Sequence, residues 1–257
     1  VVLTAEQVTA LFEADPYTSG GGGTGGSPST PVLEDATAYY PFNEDLNDFG
    51  GGDYHATDEG STPVEFVVDD VRGQVAYFAT EAHAFLPYTA DLAIGTGDYS
   101  VAFWYKIPTD PVPSSDPSIL TNKDWDSGGN PGLLIALDGA DGLPGTSHMF
   151  TVNFADLESG NRLDWDADDN TAPNPADGAW HHLAVTLDRD QKMSVYMDNV
   201  LYQNDPDETS FNLSLCPGTA DDNTLQYPWA LYQSPTGTYG QDMPGWIDDL
   251  QMFKGVV

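Results

Sequence analysis

Three groups of residues in this chain have the type and spacing to do chemistry, and each also has a plainer reading. The first is the acidic run from Asp166 to Asp177, which sets Asp166, Asp168, Asn170, Asn174 and Asp177 at the ligand positions of a calcium loop. Hard oxygen donors in that rhythm suit Ca²⁺, which takes roughly 6–8 of them. Against it, Thr171 stands where such a loop needs glycine, the last ligand is Asp in place of a bidentate Glu, and Pro173 and Pro175 stiffen the run. In so acidic a chain the spacing also arises by chance. The second group is a pair of echoes, Asn122-Lys123-Asp124-Trp125 and Asn161-Arg162-Leu163-Asp164-Trp165, each with amide, cation, acid and indole. On loops, the indoles would stack on a ligand while their polar neighbours met its hydroxyls. The competing reading makes Lys123 and Arg162 counterions of nearby carboxylates, with the indoles capping the fold. Two of only seven basic residues sit here, and that scarcity speaks for the counterion role. The third group is His181-His182. Neighbours on a strand face opposite sides, so the two cannot share a metal from one side; one packed and one exposed is expected. No Ser-His-Asp, metalloprotease or phosphate-loop pattern is present. The sequence reads as non-catalytic.

The framework that must position these groups is all-β. Tyr99–Lys106, Trp180–Asp188 and Met193–Asp198 alternate apolar and polar residues, as half-buried strands do. Further short strands are predicted at 36–42, 64–68, 74–78, 119–122, 133–137, 149–154, 227–232 and 246–253, with Gly, Pro, Asp and Asn between them. That pattern predicts a two-sheet antiparallel sandwich of jelly-roll type. One helix interrupts it near the N-terminus. Thr4 is a good N-cap, Gln7 completes a capping box, and Val8, Leu11 and Phe12 form one apolar stripe before Asp15-Pro16 ends the helix. Helices below roughly 12–15 residues are marginal alone in water, so Leu3, Val8, Leu11 and Phe12 need a domain to dock on. Residues 18–31, TSGGGGTGGSPSTP, read as a flexible linker.

Composition sets the surroundings. Asp and Glu number 41 against 7 Lys and Arg in 257 residues, a formal charge of −34. Such self-repulsion weakens a compact state at low salt. At about 1 M salt the screening length falls to roughly 3 Å, so a marine or halophilic setting explains it, as would bound divalent cations. Nucleic acid and anionic membrane surfaces are excluded as partners by the same charge. A lone Cys216 forms no intrachain disulfide. The sequence shows no signal peptide and no apolar run near the ~20 residues that span a bilayer, so any secretion signal is expected outside this sequence.

Four stretches in order carry a family resemblance. Ala38-Tyr-Tyr-Pro-Phe-Asn-Glu-Asp-Leu-Asn-Asp48 with Gly50-Gly-Gly52 resembles the opening of laminin G-like, concanavalin A-like jelly rolls. Gly178–Asp188 resembles their central strand, Ser194–Asn199 the hairpin after it, and Gly245–Phe253 the closing strand. In that family the closing strand commonly runs into a short helix of the kind seen at Leu3–Val8. The resemblance implies a non-catalytic extracellular module that binds carbohydrate or protein, or serves as a repeated building block. It also implies a calcium site where the opening loop meets the closing strand, at Asp48 and Asp248, with Asp45 as a further candidate. The plainer reading is that Asp248 and Asp249 alternate across the strand. Jelly-roll glucanases usually carry Glu-x-Asp-x-x-Glu on one strand face, and no such strand occurs here.

The chain's two ends complete the picture. Gly245–Val257 read into Val1–Ala14 gives strand, link and capped helix without a break. The expected organisation is therefore 1–17 as a helix completing the preceding repeat, 18–31 as linker and 32–257 as the jelly roll. The expected function is a structural or adhesive repeat unit of an extracellular or cell-surface fibre, with neighbouring copies as partners. The alternative is a lectin-like, carbohydrate-binding module of a larger secreted protein, with glycans as partners.

Overall fold

Alternation along β6 (Tyr99–Lys106) divides the molecule: Val101, Phe103 and Tyr105 join the main core, while Ala102 joins a separate cluster on the other side. The computed structural model describes residues 2–13, 36–95, 97–109, 116–138, 149–155, 162–166, 174–188, 192–204, 227–237 and 243–255. Linker residues 18–31 lie outside them, as does Cys216. The larger sheet runs β13 (Val200–Asn204), β12 (Lys192–Met197), β11 (Trp180–Asp188), β6, β15 (Gly245–Lys254), β4 (Gly73–Phe78) and β3 (Glu65–Asp69), with β1 (Ala38–Tyr40) also paired to β15. The smaller runs β10 (Arg162–Asp166), β9 (Met149–Ala155), β8 (Gly132–Asp138), β7 (Ser118–Thr121), β14 (Ala230–Leu231), β5 (Ala84–Phe85) and β2 (Thr57–Asp58). Between the sheets, Leu183, Val185, Ile247, Leu250 and Met252 meet Leu133, Ile135, Phe150, Val152 and Phe154. Burying each such side chain contributes about 1.5–3 kcal/mol.

Two local devices shape the larger sheet. Asp198 and Asn199 both adopt positive φ, 49° and 64°, the backbone of a two-residue type I′ turn that matches strand twist. In β15 the register with β6 shifts between Asp248 and Gln251, and Asp249 has φ 49°. This bulge cancels the simple alternation expected for Asp248 and Asp249, and both carboxylates reach Arg72 instead.

The helix α1 (Ala5–Glu13) forms as its sequence predicts. Thr4 N–H donates to Gln7 Oε1 at 2.9 Å, and Gln7 N–H donates to Thr4 Oγ1 at 3.2 Å. It docks on the outer face of this chain's own larger sheet, where Leu3, Val8 and Leu11 pack with Ala102, Ala184 and Phe253. Phe12 stacks on Trp104, ring centroids 5.6 Å apart, and meets the His182 ring edge-on at 6.0 Å. That cover corrects one expectation: His181 and His182 do face opposite ways, but both are buried.

Candidate functional site

Four chain segments meet at one end of the smaller sheet. β5 and β7 end there, and β8 and β14 begin there. Their connections line a shallow, half-open cleft bordered by Pro87, Tyr88, Leu92, Asn122, Tyr227 and Trp229 among others. Trp229 makes a rigid wall: its indole N–H donates to the Leu92 carbonyl at 2.8 Å, its ring stacks on Tyr99 at 5.8 Å, and its carbonyl accepts from Leu86 N–H at 2.8 Å. Tyr88 is 47% exposed. Asn122 Oδ1 accepts from Leu133 N–H at 2.8 Å, which fixes the amide's orientation and leaves Nδ2 as a donor with no partner among the described residues. Gly132 closes the wall with φ 123°, and a Cβ there would sit 2.7 Å from Lys123 Cβ. Among the described residues, none of those lining the cleft carries a charge.

Of the two echoed motifs, only Asn122 lines the cleft. Lys123 is fully buried, donating to the Gly128 carbonyl at 2.9 Å and to Asn153 Oδ1. Asp124 Oδ1 accepts from Asp126 N–H and Thr236 Oγ1, both at 3.1 Å, and so ties two loops. Trp125 and Trp165 are buried, Trp125 against Leu134 and Ala136, and Trp165 in the main core. Neither indole is an open stacking platform, which corrects that expectation. The second echo is also no loop: Arg162, Asp164 and Trp165 belong to β10, paired with Ala155, Asn153 and Val152. Leu163 and Trp165 alternate there between Asp and Arg, too short a period to read against the polar background.

The acidic candidates are drawn into separate structural networks. Asp48 collects backbone N–H donors from Tyr39 at 2.8 Å, Gly50 at 2.7 Å and Tyr54 at 3.1 Å, and so shapes the opening loop. Asp45 accepts from Asn47 N–H at 3.0 Å. Asp248 accepts from Arg72 Nε at 2.7 Å, and Asp249 from Arg72 Nη2 at 2.8 Å and Tyr39 Oη at 2.5 Å. Burial and the adjoining Asp249 charge raise the Asp248 carboxyl well above its ordinary range, with Arg72 pulling the other way. A cation thus already occupies the position where calcium was expected beside Asp248: the guanidinium of Arg72. In the other loop, Asn174 Oδ1 caps Ala176 N–H at 3.0 Å, and Asp177 bonds Ala179 N–H at 2.7 Å and His181 Nε2 at 3.1 Å. Asp166 ends β10, and Asp168, Asn170 and Thr171 lie outside the described residues. Among the described residues, no three His, Cys, Asp or Glu side chains are grouped to hold a metal ion.

Sequence reasoning missed Arg72, Tyr88 and Tyr227. For Arg72 a signal existed: it is one of only seven basic residues and follows Asp69-Asp70 in a hairpin turn. The tyrosines had none, since an aromatic beside proline in a loop is commonplace.

Comparison with known proteins bears on the same architecture. Among solved structures, the chain resembles the binding domain of Paraclostridial Mosquitocidal Protein 1 (TM-score 0.62, 13% identity, 87% of this chain and 50% of that one). It also resembles the botulinum neurotoxin serotype G binding domain (TM-score 0.58, 14% identity, 86% and 48%). A third likeness is the serotype D ligand-binding domain in complex with N-acetylneuraminic acid (TM-score 0.57, 15% identity, 88% and 49%). The chain therefore spans about half the length of these structures, and the likeness at such identity is one of fold. No curated protein matches the sequence. Among the described residues, no helix is long and apolar enough to cross a membrane. The laminin G-like model of the concanavalin A-like lectin/glucanases superfamily matches residues 78–257, most of the sandwich, and the chain belongs to that superfamily.

Proposed function

We propose that this chain is a non-catalytic carbohydrate-binding module, lectin-like and extracellular or cell-surface, with the Tyr88–Asn122–Tyr227 cleft as its site. The observation that carries the reading is the lining itself: tyrosine rings for a sugar face, an oriented amide donor for a hydroxyl, and a fixed indole wall. A structure that resembles this chain over about half of its own length was solved with N-acetylneuraminic acid, an acidic sugar; it supports sugar binding in general and not the choice of glycan or of cleft. The uncharged lining, in a protein of charge −34, suits neutral glycans over anionic ones. Hydrolysis of a glycoside commonly uses two carboxylates roughly 5–10 Å apart, and the described lining residues supply none. Titration calorimetry against neutral and sialylated oligosaccharides tests this. Tyr227→Ala and Tyr88→Ala are each expected to weaken neutral-glycan binding about ten-fold, or ~1.4 kcal/mol, with the melting temperature unchanged. Wild-type protein that retains no glycan, or binding that survives both substitutions, would overturn the reading.

A second reading, as a structural or adhesive repeat in a tandem array, is favoured by one specific juxtaposition. Lys254 at the end of β15 pairs with Tyr99, and Leu3 N–H at the start of α1 donates to the next residue, Ser100 Oγ, at 3.0 Å. The helix thus begins where the closing strand stops. Further copies of the sequence in the parent gene are expected on this reading, and a gene with a single copy would sink it.

A further inference from the structure

We propose that the seat of α1 on the larger sheet is exchangeable, and that when chains crowd together it takes α1 of a second copy, linking chains head to tail. This goes beyond both readings above, since it needs neither a glycan nor a covalent array. Four observations carry it.

The seat is separate from the main core. Leu3, Val8 and Leu11 pack with Ala102, Ala184 and Phe253 in a cluster of their own, so removing the helix leaves the contacts between the sheets intact. The seat is also imperfectly satisfied. Among the described residues, Trp104 Nε1 and His182 Nδ1 are buried with no hydrogen-bond partner, and Phe12 packs on both rings. A buried unpaired polar group costs about 1–3 kcal/mol, so undocking recovers part of the apolar contact it gives up. The connection is far longer than the seat requires. Residues 14–35 join Glu13 to Ala36, and Ala36 packs against the same cluster as the helix. A chain of that length reaches up to roughly 75 Å, against ~13 Å for the helix itself.

Finally, the contacts are identical whichever copy supplies the helix. The balance is then set by the effective concentration at which its own chain holds the helix near the seat, against the local concentration of other chains. Helix and seat are different surfaces, so one-way exchange makes a heterologous contact that can propagate from chain to chain, whereas reciprocal exchange closes a dimer. The charge of −34 opposes this approach at low salt, and screening relieves it.

The contact of Thr9 Oγ1 with Asn199 Oδ1, at 2.7 Å, supplies the test. Full-length chains with Cys216→Ser carry Thr9→Cys in one population and Asn199→Cys in the other. They are mixed at high concentration in about 1 M salt and treated with a short thiol crosslinker. A crosslinked Thr9→Cys/Asn199→Cys heterodimer is expected, fading on dilution and absent when Leu11→Asp is added to the helix donor. The chain carrying both cysteines controls for geometry and should crosslink internally when dilute. Internal crosslinking with no heterodimer at any concentration would overturn the exchange. Failure of the internal crosslink would overturn the docked geometry and the exchange with it.

Discussion

The outer face of the larger sheet and the cleft of the smaller one both gather aromatic rings, and they treat them in opposite ways. On the outer face, Arg72 lies 4.4 Å from the centre of the Trp104 ring and Lys106 lies 4.5 Å from that of Trp246, with Trp180 within reach of both cations. Asp69 accepts from Trp180 Nε1 at 2.9 Å and from Lys106, while Asp248 and Asp249 hold Arg72. The rings there are structural: their faces are covered by cations, and the Trp180 indole N–H is spent on an acid. In the cleft, tyrosine rings stand in a lining without a charged side chain. Of the seven basic residues, Arg72, Lys106, Lys123 and Lys254 make internal contacts among the described residues. The difference teaches that scarce cations mark what holds this fold, and uncharged aromatic surface marks what is left for a ligand.

Arg72→Ala tests that contrast most severely. It strands two buried carboxylates, and breaking a buried pair by removing one partner costs about 3–5 kcal/mol. Urea denaturation should show that loss, while glycan affinity of the folded protein stays at the wild-type value. Arg72→Lys should recover only part of the loss, because one ammonium cannot reproduce the two-pronged contact with Asp248 and Asp249. A loss under about 1 kcal/mol would mean that the outer-face ions are decoration. Gly132→Ala comes next and should affect both regions. Its φ of 123° is strained for alanine, and the new Cβ meets Lys123 Cβ at 2.7 Å and the Asn122 carbonyl at 3.0 Å. A stability loss of about 1–3 kcal/mol is expected together with weaker glycan binding, since Asn122 would shift. Loss of stability with binding intact would separate Asn122 from the ligand.

These two regions were not equally legible in the sequence. Strands such as Tyr99–Lys106 and Trp180–Asp188 announce themselves by alternation, and the capping box at Thr4 and Gln7 by local chemistry that needs no tertiary context. The outer-face network is non-local. Arg72 meets Asp248 and Asp249 across more than 170 positions, and only the bulge in β15 turns both acids toward it. Spacing along a chain carries no trace of such a bulge, and the calcium expectation at Asp248 rested on the family resemblance alone. The indoles misled for a related reason. Trp125 and Trp165 looked equivalent by neighbours, yet one sits against Leu134 and the other between the sheets. The cleft was partly legible through Asn122 alone, because its other walls come from three connections distant in sequence.

A smaller effect tests the helix on the ion-held face. Thr4→Ala removes the acceptor for Gln7 N–H and should cost about 1 kcal/mol, read as a lower denaturation midpoint. Because α1 covers Trp104 and His182 and does not touch the cleft, glycan affinity should hold. A fall in affinity would join the two regions that the structure keeps apart.

The smallest effect is one of pH, and its sign follows from His181. Its Nδ1 lies 2.7 Å from Asp198 Oδ2 and its Nε2 3.1 Å from Asp177 Oδ1, with the Tyr105 ring packed beside it. Burial alone would lower its pKa, but the bonds and charges of Asp198 and Asp177 outweigh that and raise it above 6.5. A histidine raised on folding contributes stability below its unfolded pKa and loses it as pH climbs through the folded value. Asp177 is the reverse case: burial would raise it, yet Ala179 N–H and His181 hold it below 3.8, so its contribution fades only in acid. His182 is pushed down to about 3 by burial and by Arg72, so it stays neutral when folded while the unfolded chain still takes up a proton near 6.5; its contribution therefore grows as pH rises to about 7, opposite in sign to that of His181. Measured against His181→Asn, which keeps the His182 contribution, the wild type should therefore lose up to about 1 kcal/mol between pH 6 and 9, the scale of a partly exposed ion pair. Glycan affinity over the same range should stay level, because no acid, histidine or lysine lines the cleft. An affinity that tracks the stability curve would show that the ion-held framework reaches into the site after all.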